Sequence, residues 1–275
     1  MTTDQRVAGE VPAFRGLPRD AGVTAALLVV AALGWWWTIR AMDHAMVDGM
    51  TSGDAMSGDA MGDQMAHDGM TTAMSFGTFL VAWVAMMAAM MMPAVVPVVG
   101  LYRRAIAAGR AAPLPVFLAA YLLVWTVPGI PAYWAWRELA GPLEDGLPWA
   151  GRLAGGALLA AALWQVGPVK ALCLRHCRSP LSFFMSHRGG VRRPVAAFRL
   201  GLAHAGFCLG CCWLLMVVLV TLGTMSLYWM AALAAVIFAE KVVAAGPWFS
   251  RVVAVGMVAL GAYLLVDPTS VASIT

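Results

Sequence analysis

His204, Cys208, Cys212 and Met216 follow one another at intervals of four residues, with Cys211 on the adjacent edge. On an α-helix that spacing stacks side chains on one face, so imidazole, thiol and thioether groups form a stripe about 18 Å long. These are soft or borderline donors of the kind that favour Cu(I). A second stripe, Met86, Met87, Met90 and Met91, pairs Met86 with Met90 and Met87 with Met91 at the same interval, and Met92 then meets Pro93, where a kink and a freed carbonyl are expected. Packing is the competing reading of both stripes, because methionine fills irregular cores and small cysteines suit helix contacts.

Two further groups carry chemistry. Cys173, His176 and Cys177 form a Cys-x-x-His-Cys group that suits a second metal site, copper or zinc, against the plainer alternative of two idle thiols in a basic segment. Glu240 and Lys241 lie in an otherwise apolar run, where a charge is expensive unless it is paired or faces a cavity.

Between residues 41 and 74 the chain holds eight Met, six Asp and two His, with almost no other large apolar side chain. Such a segment cannot bury a core and is expected to be disordered when free. Its Met42, His44, Met46, Met50, Met56, Met61, Met65, His67 and Met70 form a metal-capture loop, since a thioether has no proton to lose and remains a ligand in acid. An oxidant sink or a drifted linker is the alternative.

The elements that must position these groups are transmembrane helices. With 61% hydrophobic and 12% charged residues, against about 25% charged in an average soluble domain, the lipid bilayer is the expected solvent. Apolar runs long enough to cross a core of roughly 30 Å fall near 21–39, 76–100, 114–136, 152–172, 199–222, 227–246 and 251–266. This predicts an all-α, polytopic transmembrane bundle of about seven helices, six to seven. Its parts are a tail at 1–20, a first helix at 21–39, the Met/Asp/His-rich extracytoplasmic loop at 40–75, a helical domain at 76–266 and a second tail at 267–275. With the N-terminus cytoplasmic, fifteen Lys or Arg fall inside and three, Arg40, Arg137 and Arg152, outside, a strong positive-inside bias. Trp35, Trp36, Trp37, Trp134, Trp136 and Trp149 then lie near outer ends, as headgroup anchors. The scattered basic residues argue against a nucleic-acid stripe, and five cysteines, an odd number, within or at the ends of apolar segments argue against a secreted disulfide framework.

The stretches WVAMMAAMMMP from Trp83, WQVGPVKALCLRHCRSP from Trp164 and GFCLGCCWLLM from Gly206, followed by GTMSLYWM and Glu240-Lys241, resemble a bacterial family of unknown function described as a predicted metal-binding integral membrane protein. The resemblance covers roughly residues 76–246 and matches at Met86, Met90, Met91, Cys173, Cys177, Cys208, Cys211, Cys212 and Glu240. It implies a helical membrane domain with a metal site and no settled activity.

The expectation from the residues is a multi-pass protein of the bacterial inner membrane that captures copper outside the cytoplasm. It would bind, deliver or transport it, as Cu(I), through an intramembrane Met/Cys site. Its partners would be the lipid bilayer, the metal ion and a copper protein or oxidase being metallated. No hydrolase triad or phosphate-binding glycine loop stands out, which disfavours an enzyme. The alternatives are a membrane redox protein with a dithiol, haem or copper centre, and a structural or assembly subunit without metal. Haem is disfavoured because His204 is the only His well inside a span.

Overall fold

In a computed structural model, residues 21–53, 75–107, 113–178, 193–222, 226–242 and 247–274 are described, apart from the side chains of 21, 23, 41–53, 104–107 and 247. Among the described residues the chain is helical throughout, with nine α-helices, one closing 3₁₀ turn and no strand. In chain order the helices are α1 (Ala21–Gly53), α2 (Phe76–Ala107), α3 (Leu114–Thr126), α4 (Gly129–Glu144) and α5 (Pro148–Val166), then α6 (Pro168–Arg178), α7 (Pro194–Thr221), α8 (Leu227–Lys241) and α9 (Pro247–Val266). The 3₁₀ turn spans Pro268–Ser273. Proline opens α3, α5 and α7 within their first two positions, where its missing N–H removes a donor that has no intrahelical partner anyway.

Among the described residues, four segments are long and apolar enough to cross a membrane: Phe76–Arg103, Leu114–Glu144, Pro194–Thr221 and Trp248–Val266. A fifth arises if α5 and α6, bent by 63° across Gly167, count as one span. This is compatible with a membrane protein, but the expected count of seven does not follow. The apolar part of α1, Thr24–Arg40, is a shorter helix, and α8 is only 15 residues long.

Two local expectations change. The first helix does not stop at residue 39 but continues to Gly53, through a stretch rich in the good helix formers Ala and Met. Met42, His44, Met46 and Met50 therefore stand on helical backbone, while Met56, Met61, Met65, His67 and Met70 lie outside the described residues. The run expected as one helix over 114–136 breaks at Val127 and Pro128, since Pro128 cannot donate to the carbonyl four residues earlier. There the Trp83 indole donates to the Trp125 carbonyl at 3.0 Å, and its ring packs so close to Gly129 that a Cβ would stand 2.7 Å from it. By contrast, α2 runs unbroken through Pro93 and Pro97.

The bundle packs α9 along α5, α3 along α7 and α1 along α2, with α6 and α5 also against α7. Gly155 and Gly261 face each other where α5 and α9 cross, and a Cβ on either would lie 2.9 Å from the other's carbonyl oxygen. Such small-residue contacts let helix backbones approach without a hydrophobic drive. Trp36, Trp134 and Trp149 are exposed, as anchors should be, but Trp136 is buried and stacks on Phe79 at 5.5 Å. It belongs to the core.

Candidate metal centre

The α7 stripe turns inward: His204, Cys208, Cys211, Cys212 and Met216 are all buried. What it meets is set by two close crossings. At Gly201 a Cβ would stand 2.6 Å from the Phe117 carbonyl oxygen, so α3 lies near enough to bring the Tyr121 hydroxyl within 3.1 Å of Cys208 Sγ. At Gly210 a Cβ would stand 3.0 Å from Cys173 Sγ, so α6 presses its sulfur edge onto α7. The Trp164 indole fastens this crossing by donating to the Gly210 carbonyl at 3.1 Å.

Within this packing the Cys177 thiol lies close enough to those of Cys208 and Cys211 to interact with them electrostatically. The Cys211 and Cys212 thiols also donate to the Cys208 carbonyl, each at 3.0 Å, which folds both back onto their own helix turn. All five cysteines are free.

At the centre stands a cation. Lys241, the last residue of α8, donates its ammonium to Cys208 Sγ at 2.9 Å and lies 3.9 Å from both Cys212 Sγ and Met91 Sδ. One positive charge is thus held by sulfurs of α2 and α7. Met86, Met87 and Met90 are buried on α2 beside Met91, and Met216 is buried at the far end of the α7 stripe. His204 stacks beside the aromatic rings of Phe117 and Tyr121, with centroids at 6.1 and 6.0 Å.

The three-residue group at the end of α6 separates. Cys177 turns into the sulfur cluster and Cys173 packs at Gly210, whereas the His176 ring lies flat on Phe207 at 4.4 Å, its Nδ1 2.9 Å from the Leu172 carbonyl. Neighbours on a helix point about 100° apart, so adjacency in sequence does not bring His176 and Cys177 to one point. Among the described residues no group of three or more His, Cys, Asp or Glu stands arranged to hold a metal ion. The Met91 and Cys212 sulfurs stand 3.9 Å from the Lys241 ammonium, well beyond the roughly 2.3 Å of a zinc–thiolate bond.

Glu240 enters a separate network. Its carboxylate pairs with the Lys170 ammonium at 2.7 Å, both side chains being almost fully buried, and accepts from Gln165 Nε2 and, at 3.0 Å, from the Ser250 hydroxyl. Lys170 also donates to Gln165 Oε1, and Arg178 Nε donates to the Glu240 main-chain carbonyl at 2.6 Å. Sequence reasoning singled out Glu240 but not Lys170 as its partner. The signal was there, since Lys170 lies at the end of an apolar run and a buried lysine needs a carboxylate. No sequence signal marks Tyr121.

In an all-helical bundle, sulfurs of α2 and α7 gather around one lysine ammonium. The chain belongs to the PpoB2 copper-chaperone family, whose model matches residues 80–264, more than half of the chain and all of the sulfur cluster. Copper binding or delivery fits that family. No match is found among curated proteins or among solved structures.

Proposed function

We propose that the protein is a copper chaperone of the bacterial inner membrane, with its N-terminus cytoplasmic, and that it binds Cu(I) at the cluster formed by Met91, Cys177, Cys208, Cys211 and Cys212. The observation that carries this reading is the Lys241 ammonium among three sulfurs at 2.9 to 3.9 Å. Thiolate and thioether donors prefer Cu(I), and its positive charge would take the place in which the bundle already stabilises one. His204 and Met216 flank the cluster along α7, and Met86, Met87 and Met90 flank it along α2, as relay ligands. The Met/Asp/His segment from Met42 to Met70 collects copper outside the membrane, and the receiving partner is a copper protein or oxidase being metallated.

The test is copper content of protein purified anaerobically in detergent and challenged with a Cu(I) chelator. The parent chain is expected to retain copper, and the Cys208→Ser, Cys211→Ser, Cys212→Ser triple variant to lose it. Equal retention by the two overturns the proposal.

The nearness of the Cys177 thiol to those of Cys208 and Cys211 favours a second reading, a dithiol redox pair. A reversible Cys177 disulfide that forms at mild potential in the copper-free protein supports it. Failure of any disulfide to form under a mild oxidant removes it.

A further inference from the structure

Where α5 bends into α6, a cavity of about 390 Å³ opens, lined by Gln165, Lys170, Arg175, Arg178, Ser250 and Arg251. Four of these six are cations, and the described lining includes no Asp or Glu. The carboxylate that reaches this region, Glu240, is already engaged by Lys170, Gln165 and Ser250. Among the described residues, four cations stand around this space with one carboxylate. Like charges so placed repel, more strongly at the buried floor than at the water-facing arginines. An anion in the cavity reverses its sign.

The backbone adds to this. Gly167 leaves the helix in an extended conformation, φ −69° and ψ 148°, and α6 starts afresh at Pro168. Gly167 and Ala171 line the cavity, so the positive end of the α6 dipole lies at the same space as the arginines. Arg175 and Arg251 are exposed at the cavity, Arg178 is half-buried, and Lys170 is 1% exposed at its floor.

We propose that this cavity binds a phosphate-bearing anion. Guanidinium groups match phosphate oxygens in paired hydrogen bonds, and a helix N-terminus favours the same charge. The space exceeds many times the roughly 30 Å³ that a water occupies, so it admits a phosphate ester rather than a simple halide. The ester comes either from an anionic phospholipid headgroup or from a soluble phosphate, and this site is independent of the copper reading.

The test uses the full chain, delipidated in a nonionic detergent, with two probes: inorganic phosphate, and mixed micelles of phosphatidylglycerol with phosphatidylcholine micelles as control. The variant is Arg175→Gln with Arg251→Gln, two exposed positions whose loss leaves the buried Lys170–Glu240 pair in place. We expect one probe to bind and the double variant to weaken that binding about tenfold or more. Preference for phosphatidylglycerol over phosphatidylcholine assigns the headgroup, and binding of inorganic phosphate without that preference assigns a soluble anion. Binding of neither probe overturns the proposal, as does equally tight binding by parent and variant. Copper content of the double variant is expected to equal that of the parent, so failure here is distinguishable from failure of the metal centre.

Discussion

Glu240 and Lys241 are neighbours in sequence, yet they serve two centres that share almost nothing. Glu240 faces Lys170, Gln165 and Ser250, hard nitrogen and oxygen groups that satisfy a buried ion pair. Lys241 faces Cys208, Cys212 and Met91, soft sulfurs that return much less to a buried ammonium than a carboxylate does. A rotation of about 100° between successive helix residues is enough to split an apparent charge pair into a closed ionic lock and a sulfur-held ammonium. The lock is a structural device; the other charge is the one that the proposed copper ion would replace.

The strongest way to break this contrast is to remove one half of the lock. Glu240→Gln leaves the Lys170 ammonium buried without its counter-ion and is expected to lower stability by about 3–5 kcal/mol, read as a large fall in the thermal midpoint in detergent. Lys170→Met together with Glu240→Leu should recover most of that loss. If Glu240→Gln unfolds at the parent's temperature, the pair is not a lock.

The next effect belongs to the soft centre. Met91→Leu keeps volume, so stability should change by less than about 1.5 kcal/mol, while loss of the thioether weakens copper retention about tenfold, or about 1.4 kcal/mol. A chelator titration of copper-loaded protein reads this directly, and unchanged retention would remove Met91 from the ligand set. Lys241→Met acts in the opposite sense: it deletes the competing ammonium and adds a thioether, so copper retention should rise several-fold. A fall in retention would mean that the ammonium supports the bound metal.

His176→Ala should have the smallest effect. Its ring rests on Phe207 and not on the sulfurs, so copper content is expected to stay at the parent level, with a stability change of no more than about 1 kcal/mol. Metal loss in this variant would return His176 to the centre.

The parts of the site that were legible in the sequence are those that depend on a single helix. The four-residue interval from His204 to Met216 fixes one face of α7 whatever surrounds it, and the buried methionines of α2 follow from the same periodicity. The parts that were not legible depend on how helices meet. Cys177 belonged by sequence to a separate inner group with His176, but the bend at Gly167 and the close approach at Gly210 carry it to Cys208 and Cys211. Tyr121 reaches Cys208 because Gly201 lets α3 approach, a fact that no residue pattern on α3 announces. The helical fold class was readable from composition and apolar runs, whereas the break at Pro128 and the short α8 made the span count harder to read.

The bend at Gly167 also sets where the sulfurs of α6 arrive. Cys177 lies ten residues beyond it, about 15 Å along the axis of α6, so a small difference in the bend angle is multiplied at the thiol. A difference of about six degrees at that bend carries Cys177 through about 1.6 Å. Lys170, three residues past the bend, would move by only about 0.5 Å under the same rotation.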